Sequence, residues 1–543
     1  MSSPVEDLRA AVAAAIASLR GEGAATPAFA LERPKRAEHG DYATNAAMLL
    51  APALGKPPRE IAEALGGALA DQLGDHLAGV EVAGPGFLNL RLGDGWYREA
   101  LGGVVRAGDE FGRGTPAIAE RVLVEFVSAN PTGPVHVGHA RNAAYGDAIS
   151  RLLEFAGHTV EREFYVNDYG SQIARFGESI QARARGEEPP EGGYVGDYVV
   201  ELAKEIEDAA TRPVAEVAQE GVELMRGRID ATLRAFGVVM DTWFSERSLH
   251  EGSPSPVDQA FARLEELGET YRADGALWLR TTAHGDDKDR VLERSSGEHT
   301  YFASDVAYHQ HKRARGFDRQ IDVWGADHHG YVERTKAAYA ALGGDPDELD
   351  LLIMQFVQLV AKGKLASMSK RAGKFVTLDE LVAEIGVDVA RWFLLARSHD
   401  TTLDLDLDLA VEQSNDNPVY YVQYAHARIA GILTKAGEDA VAAALDPGTW
   451  GASALEPAER ELVRKLLAFE VDVADAAERR APHRVATYAL ELAQTFTAFY
   501  RDCQVVGAEG EGVEAFRIAL SVVSKRTLAR ALDLLGVSAP ESM

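Results

Sequence analysis

The spacing of apolar residues changes period along this chain, and the changes mark its elements. Residues 122–127 (Val-Leu-Val-Glu-Phe-Val) form a short apolar run. Ala140, Ala144, Ala148, Leu152 and Phe155 then recur at helical spacing, and residues 160–166 form a second run. A strand, a helix and a strand in that order predict a βαβ unit, and such units build a parallel sheet with ligands at the carboxyl ends of its strands. A second half of the sheet is expected from Tyr301 onward, with a strand over residues 321–324 and a core segment over 351–360. Thr377-Leu-Asp-Glu380 reads as a capping box that starts a further helix.

Residues 6–113 pattern as helices around a short sheet closed by strand-like runs at 79–82 and 87–92. The stretch 186–297 opens on a turn-rich Glu187-Glu-Pro-Pro-Glu-Gly-Gly193 and is mostly helical to about Phe236. Strand-like runs follow at 277–280 and 291–292, and the whole stretch reads as an insertion between the two half-sheets. Residues 403–409 alternate Leu and Asp, the pattern of a short strand with one acidic face. From Asp416 onward the chain reads as an all-helical bundle, with Ala425, Ile429, Ile432, Leu462, Leu466 and Phe469 on repeating faces. The expected domains are therefore 1–113, 114–397 with its insertion at about 186–297, and 398–543.

Composition narrows the class of protein. With 543 residues and 46% hydrophobic content the chain can bury several cores, and no apolar run reaches the roughly 18 residues of a membrane span. Glu6 and Asp7 precede the apolar run 12–19 where a signal peptide would carry basic residues, so an amphipathic first helix is expected there. The single cysteine, Cys503, excludes an internal disulfide and a Cys-based zinc site, and points to a reducing compartment, the cytoplasm. A net charge of −28 runs against a nucleic-acid partner, but basic tracks such as Lys312-Arg313-Ala-Arg315, residues 362–374 and Lys525-Arg526 can coexist with an acidic exterior.

Candidate chemistry concentrates at Pro134-Val-His136-Val-Gly138-His139, at the strand-to-helix junction of the first βαβ unit. A helix N-terminus there offers N–H groups and a positive dipole end to an anion. Taken alone, His-x-Gly-His is also what two helix-capping histidines would look like. A second, small and basic loop far downstream, Ser367-Met368-Ser369-Lys370-Arg371-Ala-Gly-Lys374, changes its weight. The pair resembles the two signatures of class I aminoacyl-tRNA synthetases, the HIGH and KMSKS motifs. Residues 124–130, Tyr165-Val-Asn-Asp-Tyr-Gly170, Tyr301-Phe-Ala-Ser-Asp305, Trp324-Gly-Ala-Asp327-His-His-Gly-Tyr331 and residues 416–428 are similar to bacterial-type arginyl-tRNA synthetases. Gly40-Asp-Tyr-Ala-Thr-Asn45 and Gly84-Pro-Gly-Phe-Leu-Asn89 are similar to the extra N-terminal domain of that family.

The resemblance implies an α/β fold, a Rossmann-like parallel sheet with an inserted domain, an N-terminal α+β domain that touches the corner of the tRNA, and a C-terminal helical domain that binds the anticodon. It implies ATP-dependent ligation of L-arginine to its tRNA through an arginyl-adenylate, by a cytoplasmic monomer with no membrane association. Its motifs carry ATP onto Pro134, His136, Gly138, His139, Asp327, Met368, Ser369 and Lys370, with His136, His139 and Lys370 as the catalytic set. They carry arginine onto Glu125, Asn130, His136, Tyr301, Asp305 and His329, and tRNA onto Tyr420, Tyr424, His426 and Arg428. Carboxylates are what a planar, permanently charged guanidinium requires. Without the family, Asp305 would read as a helix N-cap.

Mg²⁺ is expected to accompany the ATP phosphates. Zinc is not expected, because adjacent side chains such as His328 and His329 diverge and no third and fourth ligand is evident. Ser367 departs from the family, standing where its first signature Lys usually lies, and Pro540-Glu-Ser-Met543 lacks the Arg that relatives often carry before the final Met. Two rival readings stay open at this point: a small-molecule adenylyltransferase, which would have no use for a helical C-terminal domain, and an RNA-binding relative without activity.

Overall fold

Five strands form one parallel sheet: β1 (Arg121–Glu125), β2 (Thr159–Val166), β3 (Thr242–Ser245), β4 (Arg319–Gly325) and β5 (Leu349–Met354). They belong to a computed structural model that describes residues 4–20, 26–34, 36–365 and 377–543. The order across the sheet is β5-β4-β1-β2-β3, with every neighbouring pair parallel. The chain builds outward from β1 to β3, then crosses back and builds outward on the other side from β4 to β5. That reversal opens a crevice between the carboxyl ends of β1 and β4, where doubly wound sheets bind ligands.

Helix α1 (Val137–Phe155) is the crossover between β1 and β2 and is buried on nearly every face. Its apolar residues pack on the sheet, and its polar ones are anchors. The Asn142 side chain accepts from Val127 N–H (2.6 Å) and donates to the Val323 carbonyl (2.8 Å), joining β1 to β4. Arg141 donates to the carbonyls of Gln355 (3.0 Å), Ser398 (2.8 Å) and Thr401 (2.8 Å). Asp147 meets the buried Arg391 at 2.5 Å, and Arg391 also donates to the carbonyls of Phe236 and Leu535. One buried helix thus gathers both half-sheets and the end of the chain.

The structure changes the expected insertion at its start and in its middle. Helix α2 (Ser171–Ala184) belongs with α3 (Asp197–Glu205) and α4 (Val214–Ala235), because Phe176 and Ile180 share a separate apolar core with Val199, Leu202, Val217 and Met225. Strand β3 lies inside 186–297 yet is the edge of the main sheet, paired with β2 from Glu163↔Thr242 to Val166↔Ser245. Four residues are too few to show a period, so pairing rather than pattern decides the strand. The strand-like runs near 277 and 291 do form strands, Ala276–Leu279 and Arg290–Glu293, in a small antiparallel sheet with Thr270–Ala273.

Helix α5 (Tyr301–Ala314) precedes β4, and α6 (Leu378–Ile385) and α7 (Val387–Leu395) follow β5. The capping box at α6 is formed, with Thr377 Oγ1 accepting from Glu380 N–H and Glu380 accepting from Thr377 N–H. Leu403–Asp406 is a strand with Leu403 and Leu405 buried, and it pairs in parallel with Val357–Ala361. The catalytic body therefore continues past residue 397. The C-terminal bundle comprises α8 (Pro418–Ala436), α9 (Pro457–Glu478), α10 (His483–Asp502) and α11 (Val513–Leu534). Cys503 is buried there, and burial pushes its thiol up to about 11, as expected of a packing residue.

In the N-terminal domain, helices Pro4–Arg20 and Pro58–Leu73 lie with a four-stranded antiparallel sheet that includes Leu77–Ala83 and Phe87–Leu92. It docks on α9 through Asp94–Arg460 (2.7 Å) and Asp41–Arg464 (2.6 Å).

Gly146 in the middle of α1 records how tightly that helix meets the sheet, since a Cβ there would lie 2.1 Å from the Phe126 ring. Alanine favours a helix over glycine by about 1 kcal/mol, whereas overpacking a core costs about 1–3 kcal/mol. With so short a contact the second effect wins: Gly146→Ala lowers the urea midpoint relative to wild type. An unchanged or raised midpoint contradicts this packing.

Candidate functional site

The chain leaves β1 through a turn in which Val127 (φ 71°) and Ser128 (φ 41°) adopt left-handed backbone, then runs to His136 at the crevice. His136 is the N-cap of α1: its Nδ1 accepts from Gly138 N–H at 3.1 Å. That bond brings the ring over Gly138, where a Cβ would stand 2.8 Å from the imidazole, so glycine is required by the fold of the cap itself. With Nδ1 accepting, the neutral ring carries its proton on Nε2. His139 lies beside it, with ring centroids 3.9 Å apart. Burial depresses both imidazoles; His139, further lowered by His136 and partly restored by Asp327, falls to about 4. Near neutral pH these rings are neutral hydrogen-bond donors. His139 Nδ1 is buried and has no hydrogen-bond partner among the described residues.

Two other segments close on this cap. Thr377 forms a bridge with His136, and Leu378 N–H donates to the Val135 carbonyl (2.8 Å), so the residues that follow the second signature dock on the first. Ser367, Met368, Ser369, Lys370, Arg371 and Lys374 lie outside the described residues. Beyond β4, the single helical turn Ala326–Tyr331 presents Asp327, His328 and His329 as exposed side chains, with Asp327 close enough to influence His139. Pro134 and Gly138 are exposed on the same rim, as is Asn130, which donates to Gln172 of α2 (3.2 Å).

The other end of the crevice is acidic. Thr300, not Asp305, is the N-cap of α5, which puts Asp305 in the second turn, one turn beyond the exposed Tyr301. Burial, with Glu125 adding to it and His309 opposing, pushes the Asp305 carboxyl up to about 6. Glu246, in the turn after β3, is 8% exposed, and burial together with Asp305 and Asp168 pushes it up to about 7. Neither carboxyl has an ion pair among the described residues. Glu246 forms one wall of a cavity of ≈470 Å³ that Tyr169, His250, Thr300, Tyr301 and Ser304 also line. Sequence reading missed Glu246, because a lone acid after a four-residue edge strand carries no signal of its own. Glu125 differs from these two: its oxygens receive Lys312 Nζ (2.6 Å) and Ser128 Oγ (2.8 Å).

A second surface lies on the helical bundle. Tyr420 and Tyr424, one turn apart on α8, stack with planes 9° apart. Arg428 extends the array, its guanidinium 5.5 Å from the Tyr424 ring and 5.4 Å from that of Tyr500 on α10. Tyr424 is 40% and Tyr500 39% exposed. Tyr500 was not foreseen, since only packing brings α10 beside α8. His426 needs correction as a direct tRNA contact: it is 1% exposed, and its Nδ1 lies 2.8 Å from the Pro540 carbonyl. It holds the C-terminal tail, its place on α8 turning it inward while Tyr424 and Arg428 turn out.

A parallel sheet that reverses at β1/β4, with one histidine capping the crossover helix at the reversal and a second in its first turn, defines the catalytic domain of a class I aminoacyl-tRNA synthetase. The chain matches the sequence models of the arginyl tRNA synthetase N-terminal domain over residues 6–92, the class I (R) tRNA synthetase catalytic domain over 112–190 and 195–429, and the DALR anticodon binding domain over 422–543. It is 46% identical over 532 residues to an arginine–tRNA ligase of Syntrophotalea carbinolica, covering 95% of each chain. With the arginine–tRNA ligase of Frankia alni it shares 47% over 556 residues, covering 99% of each. Thermus thermophilus arginyl-tRNA synthetase superimposes with a TM-score of 0.76 at 26% identity, covering 99% of this chain and 100% of that one. The chain belongs to the arginyl-tRNA synthetase family.

The protonation of the signature histidines can be read directly. In the folded protein with selectively labelled histidines, His139 is expected to titrate near pH 4, far below the usual imidazole value. A His139 midpoint near 6.5 contradicts the burial described here.

Proposed function

We propose that the chain joins L-arginine to its tRNA in two steps, with ATP first converting arginine to arginyl-adenylate and releasing pyrophosphate, and tRNA then taking the arginyl group and releasing AMP. In the first step the arginine carboxylate attacks the α-phosphorus in line. No protein nucleophile is needed, so the site works by positioning and by stabilising phosphate charge. His136 and His139 donate to phosphate oxygens as neutral imidazoles. Pro134 and Gly138 border the nucleotide, and Asp327 takes its ribose side. Met368, Ser369 and Lys370 complete the nucleotide set by family resemblance. Mg²⁺ rides on the ATP phosphates, which suits an ion that keeps its waters and few protein ligands. Among the described residues no group of three or more His, Cys, Asp or Glu is disposed to form a metal cage of its own.

The observation that carries the choice of amino acid is a pair of carboxyls, the buried Glu246 and the half-buried Asp305, that lie within electrostatic reach of each other and have no ion pair among the described residues. A guanidinium presents several donors in one plane and never loses its charge, so it satisfies two carboxylates at once where a lysine ammonium cannot span the same fork. Tyr301 flanks this end, and Asn130 and His136, with His329 on the α-ammonium side, take the other. Glu125, which family resemblance adds to the guanidinium end, acts there through its fixed place, since its oxygens already receive Lys312 and Ser128. On the bundle, the Tyr420–Tyr424–Arg428–Tyr500 array suits stacking of unpaired anticodon bases. The N-terminal domain contacts the corner of the tRNA. The working unit is a cytoplasmic monomer with domains at about 1–113, 114–397 and 398–543, the last boundary shifted past the strand Leu403–Asp406 that pairs with Val357–Ala361. No described helix is long and apolar enough to cross a membrane.

Three outcomes test this reading. His136→Ala/His139→Ala is expected to fold yet to lose adenylate formation, since one preorganised donor is typically worth about 3–4 kcal/mol. Single-turnover activation at saturating arginine, ATP and tRNA measures it, and near-wild-type rates reject the phosphate role. Asp305→Asn keeps the shape but removes the countercharge, weakening arginine by roughly 3–5 kcal/mol while ATP binding holds. An unchanged specificity constant for arginine assigns the guanidinium elsewhere.

The third outcome is a pH dependence. The free carboxyls of Glu246 and Asp305 are raised to about 7 and about 6, and a bound guanidinium favours their ionised forms. Binding therefore releases protons below those values. Arginine affinity should weaken as pH falls through 7 and then 6, and calorimetry should register proton release. Constant affinity from pH 8 to 5.5 contradicts the paired-carboxyl site.

A further inference from the structure

The turn after β1 is one that its own residues resist. Left-handed backbone is rare for any residue but glycine and rarer still for a β-branched one, so Val127 at φ 71° and Ser128 at φ 41° must be held by what surrounds them. Asn142 receives Val127 N–H. Ser128 is gripped more fully: its Oγ accepts from Tyr165 N–H (3.2 Å) and donates to Glu125 Oε1 (2.8 Å), and its carbonyl accepts from Asn167 (3.4 Å). Two residues later the chain reaches Asn130, and six after that His136.

Glu125 grips Ser128 from a buried place, where its carboxyl must be held still, and burial and the neighbouring Asp322 both work against its charge. Lys312 supplies the means. Its side chain is 0% exposed, and its Nζ donates to Glu125 Oε2 (2.6 Å) and to Asp322 Oδ1 (2.7 Å). The same nitrogen stands 4.1 Å from the centre of the Tyr308 ring. A compact ammonium with three donors fits two carboxylates and an aromatic face. Without it, two buried carboxylates would face each other uncompensated. The other Asp322 oxygen lies 3.0 Å from His309 Nε2, and His309 Nδ1 lies 2.8 Å from the carbonyl of Asp305. One continuous chain of contacts thus runs from the Asp305 backbone on α5, through β4, to the turn that follows β1.

We infer that Lys312 is a positioning residue for adenylate formation: its ammonium holds Glu125 so that Glu125 holds Ser128, and Ser128 keeps the left-handed turn that aims Asn130 and the loop leading to His136. The inference rests on the reading of Asn130 and His136 as substrate contacts. It also gives the two ends of the arginine site a shared support, because Lys312 and Asp305 project from the same helix.

The test is a cycle in the full-length enzyme, reading kcat/KM for arginine by ATP–pyrophosphate exchange with tRNA present, and thermal midpoints alongside. Ser128→Ala removes only the hydroxyl that Glu125 grips. It is expected to lower kcat/KM at least tenfold with a midpoint within a few degrees of wild type. Lys312→Met should lower it at least as far, and Ser128→Ala/Lys312→Met should match Lys312→Met within about twofold, because both act through one contact. Losses that multiply overturn the inference, since Lys312 then acts by another route. Should Lys312→Met fail to fold, Ser128→Ala decides alone, and wild-type turnover overturns the inference. Asn130→Ala is the control. If it retains wild-type turnover, the underlying site reading fails. If it is impaired while Ser128→Ala is not, this inference alone fails.

Discussion

Helix α1 starts at the point where the sheet reverses and is then buried on nearly every side, and the rest of the molecule is arranged by that burial. A helix that meets solvent on one face can slide or tilt at small cost. One packed all round and pinned by Arg141, Asn142 and Asp147 cannot, because each shift strands a buried polar group without its partner. His136 and His139 at its first turn inherit that rigidity. A site that works by preorganised donors needs such a base, since a donor that must first be ordered contributes less to the transition state.

The same helix explains how three domains become one body. Arg391 reaches α1 from α7 while also holding the Phe236 and Leu535 carbonyls, so the inserted helices, the sheet and the end of the bundle share one buried cation. The N-terminal domain joins through ion pairs with α9 rather than through the sheet. The aromatic surface on the bundle is therefore linked to the crevice by packed elements. The acidic exterior implied by a net charge of −28 leaves room for such local recognition, because the surface proposed for it consists of stacked rings and one guanidinium.

At the amino-acid end, charge is arranged in two different ways within one region. Glu125 and Asp322 are paired internally with Lys312, whereas Asp305 and Glu246 have no ion pair among the described residues and are raised by burial and by neighbouring carboxyls. The first arrangement stiffens the fold and the second leaves a demand that a ligand can meet. Burial is common to both, and only the presence of the ammonium separates a structural carboxylate from one available for binding.

Much of this was legible in the chain itself. Strand β1, helix α1, the capping box at Thr377 and the strand at 403 follow from periodicity and local hydrogen-bonding chemistry, because each is decided by residues within a few positions of one another. The signature histidines stood out only together with the second, downstream loop and the family that the pair resembles. Tertiary structure decided what depends on distant partners. It made Thr242–Ser245 the edge of the main sheet and brought Glu246 within electrostatic reach of Asp305, though nothing near Glu246 in sequence marks it. It turned His426 inward to hold Pro540 while Tyr500 joined Tyr424 and Arg428 outside, a choice made by which faces of α8 and α10 meet. It committed Glu125 to Lys312, 187 positions away. Period and capping are short-range properties that a sequence displays. Which buried charges meet is settled only when the chain has closed on itself.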